Sequence, residues 1–151
     1  MSNSVILRCR SCRTLNRLPF DKLSEHPICS QCKTLLEYPR APIHVTTTSF
    51  DQQVNDWPEF LLAEFWARWC GYCRRVEPFI NGLASRYAAR LKVIRIDVDA
   101  ETVLARRFNI KATPTFVLYH NGRQLARLDG APEKEFELER WLDGIMKQNA
   151  N

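Results

Sequence analysis

Residues 60–73 read FLLAEFWARWCGYC, an apolar run of strand length that ends in two cysteines one helical turn apart, Cys70 and Cys73. The stretch from Phe60 to Trp66 has the near-continuous apolar character of a strand buried on both faces of a sheet. Helical residues follow to about residue 89, with a kink expected at Pro78. This order puts Cys70 at the end of a buried strand and at the N-terminus of a helix. Unpaired amides there carry partial positive charge and favour a thiolate. Cys73, one turn further in, is expected to be more buried and less reactive. That division suits dithiol exchange: Cys70 attacks a disulfide, and Cys73 resolves the mixed disulfide. The competing reading, a structural metal pair, needs two more ligands.

Outward from this stretch the chain alternates between strand and helix patterns. Residues 44–46 are expected to form a short strand, and Thr48 or Ser49 to cap a helix through Phe50 and Val54. Residues 91–97 (LKVIRID) alternate as a strand, and Val103, Leu104 and Phe108 share one helical face. Residues 115–119 and 125–128 flank Asn121-Gly122, a strong hairpin signal. Pro132 opens a last helix whose Leu138, Trp141, Leu142 and Ile145 recur at helical spacing. The order β-α-β-α-β-α-β-β-α ends in an antiparallel hairpin, so an α/β fold is expected, its mixed sheet covered by helices on both faces.

The composition shifts at residues 38–43 (YPRAPI), where Pro39 and Pro42 cannot continue a helix. Residues 1–42 are taken as a small module with its linker, and 43–151 as the larger domain. Four further cysteines lie in the small module as C-x2-C-x16-C-x2-C: Cys9, Cys12, Cys29 and Cys32. Two such knuckles complete a tetrahedral Zn²⁺ site, and the metal supplies folding free energy that about forty residues do not bury. Two redox pairs or two disulfides are the alternatives. His26 reads as a surface histidine.

The net charge of +5 is uneven: through residue 45 there are seven Lys/Arg against three Asp/Glu. Arg8, Arg10, Arg13 and Arg17 cluster around the first knuckle, yet no aromatic platform interleaves with them, so nucleic acid is not an expected partner. No apolar stretch approaches the ~20 residues of a membrane span. The first residues, MSNSVILRCR, lack the apolar segment and cleavage site of a signal peptide, so a cytoplasmic address and no membrane partner are expected.

FWARWCGYC resembles the thioredoxin signature, ATPT at residues 112–115 resembles that family's cis-proline loop, and KATPTFVLYHNGRQLARLDGA resembles its closing hairpin. With the four-cysteine ribbon in front, the whole chain is similar to the bacterial thioredoxin-2 type. The resemblance implies a thioredoxin fold preceded by a zinc ribbon. Cys70 would be the nucleophile, Cys73 the resolving thiol, and Pro114 a cis proline facing the dithiol. Trp66 and Trp69 would flank the active-site loop. Trp69, Gly71, Tyr72 and Thr113 would contact substrate, with Thr113 offering backbone hydrogen bonds to an extended peptide. It also implies one structural Zn²⁺ on Cys9, Cys12, Cys29 and Cys32, with no organic cofactor in this chain. The partners would be an NADPH-dependent thioredoxin reductase and disulfide-containing cytoplasmic proteins, and the chain a monomer.

Three departures from the family pattern matter. Thioredoxins usually carry proline before the second cysteine, where this chain has Tyr72. Tyrosine restores an N–H near the Cys70 sulfur that proline withholds, and a stabilised thiolate makes a stronger oxidant. Thr113 stands where the family tends to have an apolar residue, and its hydroxyl is expected to donate to the thiolate. Gly-Tyr between the cysteines with Thr-Pro in the loop resembles the periplasmic disulfide isomerases, so the couple is expected to be less reducing than usual. The plainer reading is that Tyr72 only shapes the substrate surface. Glu64 is the third departure, since a carboxylate in an apolar strand is costly unless paired or neutral. The family places a buried aspartate there and usually a lysine where Arg95 stands. A Glu64–Arg95 pair is expected, with Glu64 relaying a proton to Cys73; a structural ion pair idle in turnover is the alternative. The expected function is protein-disulfide reduction. The alternatives are isomerase or oxidant activity, or a zinc-dependent binding or chaperone module.

Overall fold

The computed structural model describes residues 3–150. Its main sheet has five strands in the order β3-β5-β4-β6-β7: β3 (Ile43–His44), β4 (Phe60–Trp66), β5 (Leu91–Asp97), β6 (Thr115–His120) and β7 (Arg123–Asp129). β3 and β4 run parallel to β5, while β6 is antiparallel to β4 and β7 antiparallel to β6. The sheet is therefore mixed, with β4 at its centre.

Period-two alternation divides β4 between two cores. Leu61, Ala63 and Phe65 join Ile94, Ile96 and Val117 against α1 (Phe50–Asp56) and α3 (Thr102–Arg107), represented by Phe50, Val54 and Leu104. Phe60 and Leu62 join Val93, Phe116 and Leu118 against α2 (Gly71–Arg86) and α4 (Glu135–Asn149), represented by Val76, Ile80, Leu83, Leu138 and Leu142. Phe65 is wholly buried and meets the rings of Phe50 and Phe108, so truncating it to alanine costs about 3–5 kcal/mol. Both faces are covered by helices. Asn121 and Gly122 both have positive φ, 50° and 78°, as a two-residue type I′ hairpin requires.

Some boundaries differ from the sequence reading. The first strand of the main sheet begins at Ile43, and Val45 only extends it by donating its N–H to the Arg95 carbonyl. Ser49 does cap α1 in position, but its hydroxyl accepts from the Thr46 amide rather than from the helix. α2 stops at Arg86 because the chain turns through Ala89, which has φ 73°. Val103 is exposed rather than on the inner face with Leu104: α3 is six residues long, too short for a periodic pattern to fix its rotation. α4 starts at Glu135, three residues after Pro132, from an extended Lys134.

The N-terminal segment forms a small antiparallel hairpin, β1 (Ser4–Arg8) with β2 (Leu15–Pro19), followed by a 3₁₀ turn at Phe20–Glu25. Its buried Val5, Leu7, Cys9, Cys29 and Leu36 are continuous with the core beneath α1. A Glu59 carboxylate oxygen accepts the Ile6 N–H at 2.6 Å, Arg8 Nε donates to the Asp56 carbonyl at 3.0 Å, and the Arg90 guanidinium lies 4.3 Å from the Phe20 ring centroid. These contacts gather at the start of β4. Cys70 follows its other end, and a seven-residue strand spans roughly 20 Å. The ribbon and the Cys70–Cys73 pair therefore occupy opposite ends of the sheet. Among the described residues no helix is long and apolar enough to cross a membrane.

Candidate functional site

β4 delivers the chain to its C-terminal end at the middle of the sheet, where residues 67–70 turn into α2 with Cys70 as its N-cap. Cys70 and Cys73 are joined as a disulfide, their Cα atoms 5.2 Å apart. The Cys73 amide donates to Cys70 Sγ at 3.1 Å, so an N–H of the first helical turn points at this sulfur and favours its anionic form once reduced. This is the amide of Cys73, not that of Tyr72 expected from the sequence. Both cysteines are largely buried, Cys73 more so at 1% exposure against 4%. They pack with Ala67, Trp66 and Val98.

The Thr113–Pro114 peptide is cis, and the Thr113 carbonyl oxygen lies 3.3 Å from Cys70 Sγ. The Thr113 hydroxyl is buried with no partner among the described residues, so with Cys70 held in the disulfide it makes no bond to sulfur; the backbone carbonyl lies on that side. Trp69 and Tyr72 stand out from the surface at 68% and 58% exposure. Trp69 Nε1 donates to Asp99 Oδ2 at 2.9 Å, and the Arg75 guanidinium covers the Tyr72 ring at 4.8 Å. Gly71 is exposed, with nothing within 4 Å of where a Cβ would stand. Exposed, apolar-faced and bordered by a turned backbone, this surface suits an extended peptide bearing a disulfide.

Beneath it, Glu64 is fully buried and lies in register with Arg95 on β5. Arg95 Nε donates to Glu64 Oε1 at 2.7 Å, and Arg95 Nη1 to Glu77 Oε1 at 3.0 Å. The guanidinium also lies 4.4 Å from the Trp66 ring centroid. Glu64 Oε2 has no partner among the described residues. Burial pushes the Glu64 carboxyl above the usual carboxylate range, with Arg95 opposing. Glu77 escapes sequence reading, because a lone glutamate four residues after Cys73 looks like helix surface.

At the other end of the sheet, the sulfurs of Cys9, Cys12, Cys29 and Cys32 lie within 4.8 Å of one another. Cys9 Sγ is 3.5 Å from Cys32 Sγ, and Cys12 Sγ is 3.6 Å from Cys29 Sγ. A tetrahedron with ~2.3 Å Zn–S bonds has edges of about 3.8 Å, so the four thiols fit zinc. The two knuckles repeat each other, CRSCRTL at 9–15 and CSQCKTL at 29–35, a signal that sequence reasoning passed over. In each, the first cysteine's N–H donates to the threonine carbonyl at 2.8 Å, and Arg13 and Lys33 take the matching positive φ of 71° and 68°. The Cys32 and Gln31 amides and the Asn16 side chain hold the Cys29 thiol down to about 6, which readies it as a ligand. The arginines around the first knuckle are engaged within the chain: Arg10 with Glu37, Arg13 with Asp56, Arg8 with the Asp56 carbonyl and Arg17 with Ser4. His26 is exposed.

Comparison with known proteins gives a consistent picture. Residues 41–144 match the family model described as Thioredoxin, and residues 8–34 the one described as Thioredoxin 2, N-terminal, a zinc ribbon. Thioredoxin C-3 of Corynebacterium nephridii is 33% identical over 144 residues, which cover 95% of this chain and 97% of that protein. A thioredoxin of Porphyra purpurea is 37% identical over 92 residues, covering 60% of this chain and 84% of its own. Among solved structures, a mutant thioredoxin from Halobacterium salinarum NRC-1 superposes with a TM-score of 0.64 at 31% identity, covering 73% of this chain and 95% of that one.

Proposed function

Because the chain belongs to the thioredoxin family and is a thiol–disulfide oxidoreductase, we propose that it is a zinc-loaded cytoplasmic protein-disulfide reductase, re-reduced by an NADPH-dependent thioredoxin reductase. The observation that carries this reading is the setting of Cys70: a sulfur at a helix N-terminus, receiving the Cys73 N–H and bordered by the cis-proline loop. A disulfide substrate docks along Thr113 and the exposed faces of Trp69, Gly71 and Tyr72. The Cys70 thiolate attacks one substrate sulfur, the substrate S–S bond breaks, and the other sulfur leaves as a thiol after gaining a proton. Cys73 then loses its proton to Glu64 and attacks Cys70 Sγ. The mixed disulfide breaks, the second substrate thiol is released, and Cys70–Cys73 is left oxidised by two electrons. Coupling NADPH oxidation through thioredoxin reductase to insulin reduction tests the assignment. Insulin reduction with chemical dithiols alone and none with the reductase would leave the oxidoreductase but remove its proposed partner.

We assign residues 1–42 to the ribbon and 43–151 to the redox domain, with one structural Zn²⁺ held by Cys9, Cys12, Cys29 and Cys32. When bound, the metal cross-links two knuckles that have little core of their own. A reducing compartment fits four unpaired cysteines, two of them exposed. The protein is taken as a monomer.

A second reading, disulfide isomerisation, is favoured by one feature: Tyr72 stands where thioredoxins usually carry proline, and its N–H, although not the one bonded to Cys70 Sγ, adds to the partial positive charge of the helix N-terminus beside that sulfur. Tyr72→Pro is expected to lower the reduction potential by about 30 mV or more, measured against glutathione. No change would make Tyr72 solely a contact surface, with Arg75 stacked on it.

A further inference from the structure

We propose that Glu77 is a positioning residue of the proton relay: it shares the Arg95 guanidinium with Glu64, so that the buried carboxyl remains able to take up a proton from Cys73. The inference rests on the relay reading of Glu64 given above.

Arg95 offers its donors in one rigid plane. Nε goes to Glu64 at 2.7 Å, Nη1 to Glu77 at 3.0 Å, and the Trp66 indole covers the group at 4.4 Å. The Arg95 side chain is only 6% exposed, whereas that of Glu77 is 47% exposed. One cation thus serves two carboxylates, and the site carries a net negative charge when both are ionised. A like charge disfavours ionisation of its neighbour. In an isolated one-to-one pair, Arg95 would hold Glu64 more firmly as the anion, a poor state for a group that must accept a proton and pass it on. Sharing the guanidinium loosens that hold. Glu77 also stands one turn beyond Cys73 on the same side of α2, so its bond to Arg95 ties the turn bearing the resolving cysteine to β5.

The surroundings of Glu64 are few in charge. β5 contributes Arg95, α2 contributes Glu77 and the titratable Cys73, and β6 places Phe116 in register opposite. Further out, His44 on β3 is in register with Arg95 and meets Trp66 edge-on at 6.0 Å, and Asp97 is held by Arg68 at 3.6 Å. A readout specific to Glu64 is therefore needed to separate it from His44.

The test is ¹³C NMR titration of the glutamate side-chain carboxyls in the reduced protein, with Glu64→Gln identifying the Glu64 resonance. Single-turnover resolution of a mixed disulfide is followed across the same pH range. Glu77→Gln is expected to lower the Glu64 midpoint by about 0.5 pH or more, roughly threefold in proton affinity, and to move the rate profile in the same direction. A Glu64 midpoint that stays in place or rises overturns the inference. A midpoint that falls while Glu64→Gln leaves the rate profile unaltered shows instead that the relay reading fails, and Glu77 leaves the mechanism with it. A merely structural Glu77 would alter the melting temperature and neither midpoint.

Discussion

Cys73→Ser stops the reaction halfway and turns the protein into a trap for its substrates. Cys70 keeps its place at the helix N-terminus, and the residue 73 amide still points at its sulfur, so the first displacement proceeds. The second does not, because a serine hydroxyl has no means of displacing a thiolate from the mixed disulfide. Turnover with insulin is expected to fall by more than about a thousandfold. Intact-mass spectrometry should show a stable covalent adduct that dithiothreitol releases. Cys70→Ser loses turnover equally but forms no adduct, since Cys73 is buried at 1% exposure beneath the surface that substrate reaches. Adducts on Cys70→Ser rather than on Cys73→Ser would reverse the assigned roles.

Removing the metal is expected to have the second-largest effect, confined to the far end of the molecule. The ribbon's fully buried apolar residues are Val5, Leu7, Leu36 and two cysteines; Leu18, Phe20, Leu23 and Tyr38 are only half-buried against them, and Leu15, Ile28 and Leu35 are exposed. So small a core does not hold its backbone without the cross-link, and structural zinc contributes on the order of 10 kcal/mol in small zinc domains. Chelation, or Cys29→Ser, should therefore abolish amide-exchange protection over residues 4–36. Protection in β4 and β5 should remain, because Leu62, Val93 and Ile80 pack on the face away from the ribbon core. Insulin reduction should stay within about twofold, because the length of β4 keeps the two ends roughly 20 Å apart. Loss of activity in step with loss of zinc would mean that the docking contacts at Asp56 and Glu59 reach the dithiol.

What the sequence made legible is what local chemistry determines. Phe60–Trp66 is so continuously apolar that only a central strand accommodates it. Asn121-Gly122 gives the hairpin, and the three CxxC pairs sort themselves by context into two knuckles and one strand-to-helix junction. The cost of a lone buried carboxylate called for a partner to Glu64, and the family resemblance pointed to Arg95 as that partner. What stayed hidden depends on tertiary placement or on side-chain direction. Glu77 joins Arg95 across 18 positions, and nothing in a helical glutamate announces that. The identity of Thr113 suggested a hydroxyl on the sulfur, yet the backbone turn presents the carbonyl there. Ribbon docking through Ile6–Glu59 and Arg8–Asp56 spans 53 and 48 positions and has no local signature.

The reduction potential of the Cys70/Cys73 couple is the measurement that bears most directly on the account. The zinc-loaded protein is equilibrated in graded glutathione buffers, following tryptophan fluorescence and trapping free thiols for mass spectrometry. One reversible two-electron transition on Cys70 and Cys73 is expected, with a midpoint above the about −270 mV of ordinary thioredoxin and below the about −180 mV of protein disulfide isomerase. A pair that does not exchange anywhere in that range would contradict it, as would ribbon cysteines that titrate in its place.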